Sequence, residues 1–191
     1  RRLAAHPATL LIAVGNEILG SIVRWHGPHR IERFLRAIHD DVKSAAPDSL
    51  LTYVNFPPTE FLQLDYFDVC AFNVYLHEVS AQRDYLVRLQ HVAGHRPLLL
   101  SEAGADSLRE GLDEQAETTV MQLRCAFEEG ACGAIVYAWT DEWWRGGNVI
   151  NDWAFGLVDA SRRPKPALAA VTRVFDEAPF PVADAADWPE V

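Results

Sequence analysis

Two glutamates stand where apolar runs end. "LLIAVGNEILG" (10–20) climbs through an apolar stretch to Asn16-Glu17, and "PLLLSEAGAD" (97–106) does the same at Glu102. A carboxyl group at the mouth of a buried strand is rigidly held, and two of them on different strands define a fixed gap. Such a pair suits cleavage of a glycosidic bond. One carboxyl delivers a proton to the leaving oxygen, and the other puts negative charge beneath the forming oxocarbenium ion. In the retaining form of that reaction the two groups stand about 5–5.5 Å apart. A lone glutamate at a strand end is more often a helix-cap partner or a surface charge. Two of them, each followed by small or flexible residues, weight the reading toward chemistry. The seven histidines include "HGPH" (26–29), but no His-x-His ends a strand and no metal-ligand set flanks either glutamate, so no metal is expected.

Positioning such a pair falls to the elements around it. The runs at 9–14, 49–54, 68–75, 97–101 and 133–139 are apolar on consecutive residues, which fits parallel strands buried on both faces. Between them Ile31, Phe34, Leu35, Ile38 and Val42 share one helical face. Tyr85, Leu86, Leu89 and Val92 repeat the pattern, with Gly94 as a C-cap. Val120, Leu123 and Phe127 do so again before Gly130, and a last helix runs from about Pro166 to Phe175. "PPTEFLQLDY" (57–66) leaves room for only a helical turn or two. Strands alternating with helices predict an α/β fold with a parallel sheet, either doubly wound or a (β/α)8 barrel. No G-x-G-x-x-G or P-loop pattern follows a strand, so the nucleotide-binding open sheets lose support and no cofactor is expected. In both architectures functional groups gather at the strand ends that carry Glu17 and Glu102. A complete TIM barrel takes about 250 residues. The five strand–helix units therefore predict its C-terminal portion, strands four to eight, within residues 1–177. The chain opens on what reads as the last turn of a helix. Residues 178–191, rich in Pro, Ala and Asp, read as a linker.

Bulk properties narrow the partners. A formal net charge of −10 over 191 residues argues against nucleic acid and against an anionic membrane surface. No apolar run is long enough to span a bilayer. "RRLAAHP" lacks the apolar core of a signal peptide, so a cytoplasmic setting is expected for this segment. Cys70, Cys125 and Cys132 show no metal or redox spacing and read as small buried residues. Four of the six tryptophans fall between positions 139 and 153. Trp143 and Trp144 lie in the polar, Gly-containing "WTDEWWRGGN" and are candidate walls for a sugar. Asp141 and Glu142 beside them either bond hydroxyls or are solvated. Trp25 and His26 follow Glu17 and are candidates for the leaving-group side.

"AVGNEI" (13–18) resembles the fourth-strand Asn-Glu motif of clan A glycoside hydrolases, and "LLSEAGA" (99–105) resembles the seventh-strand nucleophile segment. "FNVYLH" (72–77) is similar to the sixth strand, and "GLVDASRRPKPAL" (156–168) has a counterpart after the eighth. The closest resemblance is to the barrel domain of glycoside hydrolase family 2, over residues 6–175. It implies a retaining hydrolase or transglycosidase acting on a β-linked glycan. Glu17 would be the general acid/base and Glu102 the nucleophile. Asn16 would bond the sugar 2-hydroxyl, Tyr75 would donate its phenol to Glu102, and Trp139 would lie beneath the ring. Asn73 and His77 join the substrate-binding set. A nucleophile must stay charged, which a nearby hydroxyl donor favours, and its charge raises the pKa of the neighbouring acid. The β-sandwich domains and first three barrel strands usual in that family are not visible in the sequence. A longer chain or a partner chain is expected to supply the strands. A similarity to bacterial proteins that join such a barrel to a membrane glycosyltransferase points to an oligo- or polysaccharide substrate such as a β-glucan. The rival reading is a non-catalytic carbohydrate-binding or accessory domain of a polysaccharide synthase, against which the intact glutamate pair argues.

Overall fold

The computed structural model describes residues 6–178. The linker assigned to 178–191 lies, past Ala178, outside the described residues, as do the first five residues of the opening turn. Five strands form one sheet: β1 (Leu11–Asn16), β2 (Leu50–Asn55), β3 (Cys70–Asn73), β4 (Leu98–Ala103) and β5 (Gly133–Val136). Their spatial order is their order in the chain, and every neighbouring pair is parallel. A doubly wound sheet reverses its strand order at a switch point. This sheet never reverses, so its winding is that of a barrel, and the chain forms part of one. β1 and β5 are the two edges, each bonded to a single neighbour.

The helices are α1 (Gly20–His26), α2 (Pro28–Ala45), α3 (Val79–Ala93), α4 (Ser107–Glu110), α5 (Leu112–Glu128) and α6 (Pro166–Glu177). Proline occupies the first turn of α2 and of α6, where its missing N–H costs nothing. Gly94 closes α3 at φ 64°, as the sequence predicts. Between β2 and β3 there is only a 3₁₀ turn, Pro57–Thr59, in keeping with the short connection.

Three apolar clusters bury the helix-facing side of the sheet. Ile12 and Val14 pack with Leu51, Tyr53, Ile31 and Leu35. Phe72, Leu98 and Leu100 meet Leu86 and Leu89. Ala134 and Val136 meet Leu123, Val171 and Val174. Cys70 and Cys125 belong to this core, but Cys132, expected there too, is exposed because it lies in the turn before β5. The polar, Gly-containing segment after the last strand holds a hairpin, β6 (Trp143–Arg145) with β7 (Asn148–Ile150). Its turn is Gly146-Gly147, with φ 58° and 84°, the paired left-handed conformation that a tight hairpin requires.

Candidate active site

Side chains on a strand alternate between faces, so a one-residue slip re-aims everything beyond it. β1 and β4 each contain such a slip. Ala13 pairs with Thr52 but Asn16 with Val54, three steps against two. Phe72 pairs with Leu100 but Asn73 with Glu102, again one residue extra on the glutamate's strand. Strict alternation would send Glu102 to the helix side with Leu98 and Leu100. The bulge sets it opposite Asn73 on the concave face instead. Asn16 is likewise moved off the side of Ile12 and Val14. The next residue, Glu17, takes a left-handed φ of 46°, uncommon for a side chain of its kind. Its turn is pinned by two bonds: Glu17 N donates to Val54 O at 3.0 Å, and Ile18 N donates to Tyr53 Oη at 2.8 Å.

Asn73 ties the two strand ends together. Its Nδ2 donates to Glu17 Oε1 at 2.8 Å and to Asn16 Oδ1 at 3.1 Å, while its Oδ1 accepts from Ser101 Oγ at 2.9 Å. With the amide fully bonded and the residue buried, Glu17 has a fixed partner beneath it. Tyr75 Oη donates to Glu102 Oε2 at 2.6 Å, the short distance of a bond to an ionised acceptor. Burial raises the pKa of Glu102. The Tyr75 phenol opposes that rise, and the charge of Glu17 adds to it. Burial, then the bond to Glu102 and its charge, push the Tyr75 phenol far above its ordinary range, so it stays a donor.

These groups open into one cleft of about 350 Å³, lined by Asn16, Glu17, Tyr75, His77, Glu102, Tyr137, Trp143, Trp153 and Phe155. The rings form a continuous wall. Tyr75 meets Phe155 at 5.8 Å, Tyr137 meets Phe155 at 5.6 Å and Trp143 at 5.9 Å, and Trp143 meets Trp153 at 5.6 Å. His77 also stands 4.0 Å from the Glu110 carboxylate. A pair of carboxyl groups facing an aromatic wall can bind the C–H face of a sugar and act on its anomeric carbon.

Trp139 and Trp144 are not part of the cleft; they are 60% and 59% exposed. β5 ends at Val136, and the chain then leaves the sheet to bond the 155–158 segment through Ala138, Trp139 and Asp141. Tyr137, still bonded to Ala103 of β4, lines the cleft in the regular alternation, and the departure after it carries Trp139 away from the place expected for it. Trp144 alternates away from Trp143 along β6. Trp25, 85% exposed, and His26 do not line the cleft either. Asp141 takes the buried Lys165 as partner, and Glu142, exposed, pairs with Arg162 at the surface; neither lines the cleft. Tyr137, Trp153 and Phe155 were missed. For Tyr137 a signal existed, since residues 133, 135 and 137 alternate with the helix-facing Ala134 and Val136.

No family model matches the sequence, and a search of curated proteins also finds no match. Solved structures do match in fold. GH5_18 from Streptomyces cattleya, in complex with Manβ1-4GlcNAc, superposes with a TM-score of 0.74 at 20% identity, over 98% of this chain and 52% of that one. A β-glucuronidase from Faecalibacterium prausnitzii gives 0.73 at 22% identity, over 93% and 33%. The GH2 β-galacturonidase from Eisenbergiella tayi, bound to galacturonate, gives 0.64 at 21%, over 76% and 30%. The chain therefore spans about half or less of each of these structures, and the shared feature is the barrel fold.

Proposed function

We propose that this chain carries the catalytic pair of a retaining glycosidase or transglycosidase acting on a β-linked glycan, with a barrel of the glycoside hydrolase family 2 kind. One observation carries the reading: two carboxyl groups, each on a bulged strand end, share a cleft in which one is bonded by a phenol and the other by a buried amide. Glu102 is the nucleophile. Its carboxylate oxygen attacks the anomeric carbon, the glycosidic C–O bond breaks, and Glu17 gives its proton to the departing oxygen. Water, or a sugar hydroxyl in transfer, then attacks the same carbon. Glu17 takes the proton back and the Glu102–carbon bond breaks, restoring both groups. Asn73 holds Glu17 toward the leaving oxygen, Asn16 reaches the sugar 2-hydroxyl, and Tyr75 keeps Glu102 ionised in its buried setting. Tyr137, Trp143, Trp153 and Phe155 form the stacking wall. Further barrel strands, from a longer chain or a partner chain, complete the enclosure, and a polysaccharide such as a β-glucan is the expected substrate.

The test is turnover of an activated aryl β-glycoside. Glu102→Gln should abolish it. Glu17→Ala should lose most activity and regain it with azide as a small anionic nucleophile, giving the glycosyl azide with retained configuration. Full turnover by Glu102→Gln, or an azide product of inverted configuration, sinks the assignment.

A further inference from the structure

The motif "RRPKPA" (162–167) is left unused by the chemistry, since none of its side chains lines the cleft. Yet it places a lysine in the interior. Lys165 is 8% exposed, and its ammonium donates to Asp141 Oδ1 at 2.7 Å, Ser107 Oγ at 2.9 Å and Ala154 O at 3.1 Å. Three N–H bonds meet three acceptors, so the charge is fully satisfied. The acceptors come from three separate segments: the start of α4, the stretch after β5, and the return stretch after β7.

What those segments carry is the aromatic wall. Asp141 Oδ1 also accepts from Gly156 N at 2.8 Å, and Ala154 N donates to Asp106 Oδ1 at 3.1 Å. Phe155 is thus held from both sides, with Trp153 two residues before it. Asp141 itself lies between Tyr137 and Trp143. We propose that Lys165 is a positioning residue of the cleft: its ammonium locks the stretches after β5 and after β7 to the start of α4, and so fixes the rings that face the sugar. This rests on the glycosidase reading for its activity test, but not for its optical one.

A buried ion pair often adds little net stability compared with apolar side chains of the same size; in this fold its three bonds join three particular segments. An apolar residue at 165 would fill the space without selecting which carbonyl and carboxylate it holds. The rings would then sample other arrangements, and binding would suffer more than the chemistry at Glu17 and Glu102.

Lys165→Met and Lys165→Met with Asp141→Asn separate positioning from simple folding. The single variant leaves a largely buried carboxylate without its cation; the double variant removes both charges, relieves that cost where the single one fails to fold, and keeps an Oδ1 acceptor for Gly156 N. Kinetics on a neutral aryl β-glycoside and near-ultraviolet circular dichroism, which reads coupling among the rings, are measured for each folded protein. The expected result is KM raised about tenfold or more with kcat within about threefold, the pattern of lost binding rather than lost transition-state contacts, together with a collapsed aromatic dichroism signal. A folded variant with unchanged KM and an unchanged aromatic spectrum overturns the proposal. If the parent protein turns over no aryl glycoside, the glycosidase reading is what fails, and the dichroism alone decides whether Lys165 orders the rings.

Discussion

Tyr75→Phe removes one oxygen and leaves the ring, which still meets Phe155 at 5.8 Å and Tyr137 at 6.4 Å edge-on. The lost group is the donor 2.6 Å from Glu102 Oε2. A hydrogen bond to a charged partner is worth about 1.5–3 kcal/mol. The sign follows from which form of Glu102 the phenol favours. Burial already holds the Glu102 pKa above its ordinary value, and the phenol opposes that by stabilising the carboxylate. Without it the pKa climbs further, so the ionised nucleophile is lost at a higher pH than in the parent. The acid limb of kcat/KM therefore moves upward. At a fixed pH on that limb the variant should be slower by about 10–150-fold, which is the same energy at 1.36 kcal/mol per decade. On the alkaline side of the limb both proteins hold Glu102 ionised, and their rates should converge to within a factor of about 3. The assay is kcat/KM on an aryl β-glycoside with a good leaving group, measured across pH for both proteins. A uniform loss at every pH, or a limb displaced downward, refutes the idea that Tyr75 acts by keeping Glu102 charged.

Three other outcomes are expected. Phe72→Ala, at a position 2% exposed among Leu86, Leu89 and Leu100, should cost about 3–5 kcal/mol in urea unfolding; a loss below about 1 kcal/mol would contradict the packing described. Gly104→Ala would set a methyl 2.3 Å from the Tyr137 carbonyl oxygen, a backbone atom that cannot swing aside. It should lower stability by about 1–3 kcal/mol and raise KM by displacing Tyr137, and unchanged melting and binding would count against that ring's place in the wall. A uronoside would bring a third carboxylate beside Glu17 and Glu102. Neutral aryl β-glycosides should therefore be cleaved about tenfold or more faster at low ionic strength, with the gap narrowing as salt is added; a preference for the uronide would reverse this.

The fold was legible because its signals are redundant. Consecutive apolar residues marked all five parallel strands, and helical periodicity marked α2, α3, α5 and α6 between them. Proline and glycine then set several of their ends. The β6–β7 hairpin escaped because each strand is only three residues long and its polar composition reads as loop. Its one local signal was Gly146-Gly147 between Trp-Trp-Arg and Asn-Val-Ile. Asp141 was ambiguous for a different reason. Its partner Lys165 lies 24 residues away, and nothing local announces that a lysine will be buried. Trp139 was misplaced through its chemistry: a tryptophan near a strand end looks like a sugar platform, whereas the facing of the chain selects Tyr137.

The two glutamates show the limit of pattern reading most clearly. Residue type and position at strand ends singled them out, but strict alternation through β4 predicts that Glu102 points into the helices. There it would meet Leu98, Leu100 and the apolar faces of α3 and α5, an unpaired charge in a dry core whose cost is several kcal/mol. The chain avoids that cost with one extra residue in the strand, and β1 uses the same device before Asn16. A bulge breaks the ladder locally and is tolerated where something is gained from it. Here the gain is that Glu102, and on β1 Asn16, arrive on the concave face while Leu98, Leu100, Ile12 and Val14 before them keep packing outward. Deleting Ser101 would restore the regular ladder with Glu102 directly after Leu100 and still opposite Asn73, so on this reasoning the carboxylate stays in the cleft and only the Ser101 bond to Asn73 is lost; turnover of an aryl β-glycoside should fall in part, and a carboxylate turned into the core would refute this account of the bulge.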